Sequence, residues 1–257
     1  MSATPVNEWI LGPIHAAVLF VGEEAKVGGL LQRALIHIEK GRPLLELAAK
    51  HLRTRGGAKA AEPIRRLLQE APIQEQWAME LRKTDYAPLN AHSLVAIWGA
   101  LETCIEDTVV AILARDSSAF PSLARAGVRI EPDKFGSQPT EDDLRTLYRK
   151  IEDAVRVKHD VVQTQENVLN LFGLSAACPD HKDDLLSANA LRNAIVHRGG
   201  VIDDKAVRQA PALAPQAGTQ CLIKCADFLR YHKAVSASLV SLVGSIVASR
   251  YVARNAS

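Results

Sequence analysis

The 257-residue sequence is poor in aromatic side chains (5%), has only four cysteines, and carries almost no excess charge, with 31 Lys and Arg against 29 Asp and Glu. Each shortage excludes something. Cys104, Cys178, Cys221 and Cys225 form no even framework. The step from Cys221 to Cys225 is neither a CxxC redox pair nor half a zinc knuckle, so the four read as reduced, mostly buried thiols of a cytosolic protein. A net charge of +2 gives no polybasic surface, so a nucleic-acid partner would be held by a local site rather than a global field. No basic segment precedes the apolar patch at 14–22, which argues against a secretory leader. The uncharged run of 16 residues between Lys233 and Arg250 includes five serines and is shorter than the roughly 20 apolar residues of a spanning helix. It reads as a buried or interface helix, and no membrane association is expected.

Motifs of several enzyme classes are missing too. There is no GxGxxG, no GxxxxGK[ST] and no Gly-x-Ser-x-Gly elbow, so neither a phosphate loop nor an α/β-hydrolase nucleophile is expected. His15, His37, His51, His92, His159, His181 and His232 are scattered without HExxH or i,i+4 spacing and read as surface or capping residues, so no metal and no cofactor is expected. With 47% hydrophobic and 23% charged residues, the chain nevertheless has ample material for a core.

The sequence is dominated by helical periodicity, which predicts an all-α protein. Residues 24–52 carry apolar positions at helical spacing, with Gly41 and Pro43 expected to break or kink them, and Arg53-Thr54-Arg55-Gly56-Gly57 reads as a boundary. Short helices are expected near 62–70 and 73–83. Over 89–115 the stripe Leu94, Ile97, Trp98, Leu101, Ile105, Thr108, Ile112 marks a strong amphipathic helix with Glu102, Glu106 and Asp107 off it. Residues 116–139 read as a loop with room for a short helix. Thr140 with Asp143 three residues on signals an N-cap, opening a helix to about Phe172. Asp180 is expected to cap a helix over 181–198, stopped by Gly199-Gly200. After a Pro-rich stretch and a short extended segment at 220–224, a last helix is expected over about 226–254, with a small-residue flank of Ala234, Ala237, Val240, Gly244 and Val247. The basic face Arg145, Arg149, Lys150, Arg156 and Lys158 reads as solvated, Trp98 as core, and Trp9 and Trp77 as packing residues.

The informative segment is Leu191-Arg192-Asn193-Ala194-Ile195-Val196-His197-Arg198-Gly199-Gly200. Asn193 and His197 are four apart and share a helix face, which Asn189 extends one turn back. Arg192 is five residues before His197, so its Cα points about 140° away around the helix. A ligand would reach both groups through the long Arg stem or through a second copy of the helix. His197 stands in the last turn, where free carbonyls favour an imidazolium and a group near neutral pKa can shuttle protons. Arg192 offers forked donors suited to a phosphate, and Asn193 a positioning amide. This set is a minimal kit for phosphodiester transesterification. The same residue types near a helix end also serve as a C-cap and a surface ion pair, and spacing alone leaves both readings open.

The stretch "LRNAIVHRGG" resembles the Arg–His signature of the HEPN superfamily (higher eukaryotes and prokaryotes nucleotide-binding), and "SLVAIWGALETCIEDTVVAIL", Ser93–Leu113, resembles the earlier core helix of its ribonuclease-type members. The resemblance covers roughly residues 86–255. It implies an antiparallel HEPN-like bundle over 86–257 with an N-terminal helical extension over 1–85, usually paired as a homodimer whose motifs face each other across a cleft. It further implies a metal-independent endoribonuclease of a toxin–antitoxin, phage-defence or CRISPR-associated kind, acting on RNA beside an antitoxin or defence partner. His197 would be base or acid on the 2′-OH or leaving oxygen, and Arg192 would stabilise the phosphorane. Asn193 would position the site, and Glu102, with Asp107 as second choice, would hold Arg192 or His197. The alternative is a non-catalytic HEPN scaffold for dimerisation or nucleotide binding. Members paired with nucleotidyltransferases carry a Tyr two residues after the His. Gly199 stands there in this chain, so control by tyrosine AMPylation is not expected.

Overall fold

A computed structural model describes residues 7–116, 118, 120–128 and 139–252. Of the expected loop between 116 and 139, residues 117, 119 and 129–138 lie outside them, and the described part holds the short helix Phe120–Arg125 for which the sequence left room. The chain is all-α. Nine helices are described: α1 (Glu8–Ala60), α2 (Glu62–Lys83), α3 (Ala87–Leu113), α4 (Phe120–Arg125), α5 (Glu141–Ala154), α6 (Val161–Asn170), α7 (Lys182–His197), α8 (Asp204–Gln209) and α9 (Cys225–Ala248). By its contacts the chain divides into two compact units. Residues up to Glu23, Leu94–Cys221 and those from Leu229 onward make the first, and Glu24–Ser93 with Leu222–Phe228 make the second.

In the second unit, Leu35, Ala78, Leu81 and Tyr86 form a small core with Leu89 and Cys225 against it. The helix runs unbroken through Gly41 and Pro43, so of the two outcomes expected there, a break or a kink, the break is absent. Proline's φ is helical, and the turn it weakens is flanked by ion pairs from Arg82 to Glu39 at 2.7 Å and from Arg42 to Glu46 at 3.0 Å. The Arg53–Gly57 break is also absent, and Thr54 Oγ1 instead donates back to the Lys50 carbonyl within the helix at 2.9 Å. The interruption falls at Ala61, just before Pro63. The two helices expected around Pro72 are the single helix α2, whose inward positions Ala71, Ala78 and Leu81 bracket the proline.

The first unit holds the larger core. All seven stripe residues of α3, from Leu94 to Ile112, are fully buried, Trp98 among them. Thr140 and Asp143 form the expected capping box at the start of α5, where Leu144, Leu147, Tyr148 and Ile151 turn inward. The predicted long helix ends early, at Ala154. His159 takes a left-handed φ of 66°, and side chains from the next helix bond the interrupted backbone: Thr164 Oγ1 accepts from Val157 N at 2.9 Å, and Asn167 Nδ2 donates to Val155 O at 3.2 Å. Asp160 then caps α6 by accepting from Gln163 N at 2.8 Å.

Asp180 is not the cap of α7. It sits inside a 3-10 turn, Pro179–His181, and the N-cap is His181, which makes no side-chain cap. The Gly199-Gly200 stop is as expected, with φ of 60° and 81° and with Gly200 N donating to Ala194 O at 2.9 Å. The expected extended segment after it reduces to one isolated bridge, Val201 to Gln220.

Helix α9 starts one residue before expectation and ends at Ala248, earlier than expected. It buries Ala234, Val235, Leu239, Leu242 and Ile246 and leaves Val240 and Val247 exposed. Among the described residues it is the one helix long and apolar enough, by length and composition, to cross a membrane, because the helix extends beyond the uncharged run.

All four cysteines are free, but only Cys104 is buried, so the expectation of mostly buried thiols holds for one of them. Burial pushes its thiol up to about 12. Trp9 packs edge-on against Tyr251 with Arg115 over its ring, whereas Trp77 is 53% exposed and does not pack as expected.

Gly200 is a direct test of the α7 stop. A Cβ there would lie 2.9 Å from Gln220 Oε1, a flexible side-chain end, so the cost of Gly200→Ala is mainly the left-handed φ. The expected loss is about 1–2 kcal/mol, read as a drop of a few degrees in Tm, with a smaller drop for Gly200→Asn.

Candidate functional site

Helix α7 lies against α6 and α8 and buries Leu185, Ala188, Leu191 and Ala194. Sequence spacing predicts a packing stripe of Ala188, Leu191 and Ile195, but Ala194 takes the place of Ile195, which is only half-buried. This register turns Arg192 and Asn193 to the edge of the packed face, where α3 presents Glu102.

Three of the four candidate residues meet there. Arg192 Nη1 donates to Asn193 Oδ1 at 3.0 Å, and Arg192 Nη2 reaches Glu102 Oε2 at 3.4 Å. The Arg192 and Glu102 side chains are 25% and 38% exposed, so the pair is partly desolvated. An ion pair at this depth and distance contributes on the order of 0–1 kcal/mol to stability, which is too little to be the reason for the arrangement. Arg192 Nε–H is buried and finds no acceptor among the described residues. An unmet donor on a permanent cation is costly in a folded interior.

Asn193 is anchored in turn. Its Nδ2 donates to Asn189 Oδ1 at 3.3 Å, one turn back on α7. His197, the fourth candidate, is exposed in the last turn and shares no hydrogen bond with the other three. Within one chain the site is therefore a Glu102–Arg192–Asn193–Asn189 chain with the imidazole outside it. Asp107, the second choice for the acidic role, is engaged elsewhere: Arg145 Nη2 bonds it at 2.7 Å, while Nη1 bonds Glu106 at 2.9 Å. Arg145 on the basic face of α5 is thus tied down, and Arg149 and Lys150 are exposed. Arg198, next to His197, pairs with Asp203 at 3.0 Å at the start of α8.

The surroundings of Glu102 are acidic, which sequence spacing did not reveal. Burial pushes the Glu152 carboxyl on α5 above the usual carboxylate range, Asp153, Glu102 and Glu106 push it further, and Arg156 opposes them. Burial likewise raises the Tyr148 phenol, with Glu152, Glu106 and Glu102 adding to the effect. Glu152 and Tyr148 are four apart on α5, but nothing in that spacing says which helix they face. Among the described residues no group of His, Cys, Asp and Glu could hold a metal ion.

No family model, no curated protein and no solved structure matches this chain.

The raised Glu152 carboxyl has a stability consequence with a definite sign. Its folded-state value lies above the unfolded one, so the carboxylate destabilises the fold at neutral pH. The penalty relaxes as pH falls through the raised value and is gone below the ordinary carboxylate value. Glu152→Gln is expected to melt at a higher temperature than the natural chain near neutral pH, with the gap closing on acidification. A gap that stays constant with pH contradicts the assignment.

Proposed function

We propose that the chain is a metal-independent endoribonuclease of HEPN type. Residues 86–257 form the HEPN-like antiparallel bundle and 1–85 an N-terminal helical extension, and the protein acts as a cytoplasmic homodimer in a toxin–antitoxin or phage-defence setting. The single observation that carries this reading is a guanidinium held by Glu102 and Asn193 with one donor unmet, on the helix that ends in an exposed histidine.

In the proposed reaction His197 takes the proton from a ribose 2′-OH as that oxygen attacks phosphorus. The P–O5′ bond breaks, and the leaving oxygen departs with a proton given by an imidazolium. Arg192 compensates the charge that accumulates on the phosphorane oxygens. Asn193 fixes the guanidinium plane, and Glu102 holds the opposite edge. Arg192 and His197 point about 140° apart around the helix and share no hydrogen bond within one chain, so the reading pairs two copies, each lending an α7 to one cleft.

A second reading, a non-catalytic HEPN scaffold that dimerises or binds nucleotides, is favoured by one specific observation: His197 shares no hydrogen bond with the Arg192 cluster.

The two readings separate in an RNA incubation with EDTA present. The enzyme reading expects fragments ending in 2′,3′-cyclic phosphate and 5′-OH, with cutting reduced about 100-fold or more by His197→Ala and by Arg192→Ala in chains that still fold. Undiminished cutting by both variants overturns it. RNA binding that depends on Arg192 without any cutting by the natural chain supports the scaffold.

A further inference from the structure

We infer that Asn189 is a positioning residue for Arg192, acting through Asn193. The inference rests on the reading of Arg192 as the anion-binding group. A guanidinium has donors only, so the part of the Asn193 carboxamide that meets Nη1 at 3.0 Å is its oxygen. The amide nitrogen of Asn193 is then turned away and needs an acceptor, which Asn189 Oδ1 supplies at 3.3 Å. Flipping the Asn193 amide would set NH2 against guanidinium and oxygen against oxygen, losing both bonds at once. Asn189 can enforce the correct state because it is itself confined. It is 5% exposed, and its neighbours Ala188 and Ala190 are fully buried. A merely solvated asparagine would have no need of that burial. Glu102 takes Nη2, so the guanidinium plane is fixed at two corners, and the N–H groups of Nη1 and Nη2 that these bonds leave over are the ones a ligand oxygen would meet.

A double-mutant cycle tests this, using a short mixed-sequence 2′-O-methyl RNA that cannot undergo transesterification. Asn189→Leu and Asn193→Leu are each expected to weaken binding about fivefold, and the double variant no more than the worse single one, since both break the same chain. Asn189→Asp, which keeps an oxygen facing Asn193 Nδ2, is expected to remain near the natural affinity. Losses that multiply in the double variant, or an Asn189→Leu chain that binds normally, overturn the inference. If the natural chain binds no RNA, the functional reading falls instead. Asn189 is then judged by proton exchange of the Arg192 guanidinium in NMR: faster exchange in Asn189→Leu supports the role, and unchanged exchange overturns it. Asn189→Ser, whose oxygen falls short of Asn193, replaces Asn189→Leu throughout if the latter does not fold.

Discussion

The site depends on one charge: the Arg192 guanidinium, three-quarters withdrawn from solvent and held between a carboxylate and a carboxamide. A cation in that position needs partners in fixed places, because a half-buried charge left unpaired costs far more than the pair returns. Fixed places require rigid elements. Glu102 is rigid because the α3 stripe on either side of it, including Trp98, Leu101 and Ile105, is fully buried. Asn193 is rigid because α7 is seated through Leu191 and Ala194 and tied back to Asn189. The core of the first unit thus does for the site what a strained loop does in other folds, and loop strain is not needed.

Other arginines of the same unit show the contrast. Arg145 gathers Glu106, Asp107 and Glu141, Arg198 takes Asp203, and Arg250 takes Asp116. These pairs fasten helices and caps to one another. At Arg192 two donors are engaged and a third, buried one is unmet, and the neighbouring carboxyls of Glu102, Glu106 and Glu152 crowd one another. Such crowding of like charges is unfavourable for folding.

Much of the fold was legible in the sequence wherever one local rule acted alone. The α3 stripe, the Thr140–Asp143 capping box and the Gly199-Gly200 stop follow from periodicity, side-chain reach and backbone freedom. Legibility failed where distant side chains decided. The break after Ala154 has neither Gly nor Pro; it exists because Thr164 and Asn167 satisfy the opened backbone. The persistence of α1 through Pro43 depends on partners such as Arg82 that lie far along the chain. At the site, the i,i+4 link from Asn189 to Asn193 was visible, and Glu102 came from resemblance. The bond between adjacent Arg192 and Asn193 was not visible, since helical advance sets their Cα vectors about 100° apart and only the long Arg stem closes the gap. The acidic surroundings were hidden for the same reason: which face of α5 meets α3 is a tertiary fact.

The most direct test of the central claim is a titration of the folded chain with 2′-O-methyl RNA, followed through the arginine Nε–H signals. The account predicts that Arg192 responds first and saturably, while Arg198, committed to Asp203, is unmoved. A silent Arg192, or equal responses across the exposed arginines, would contradict it.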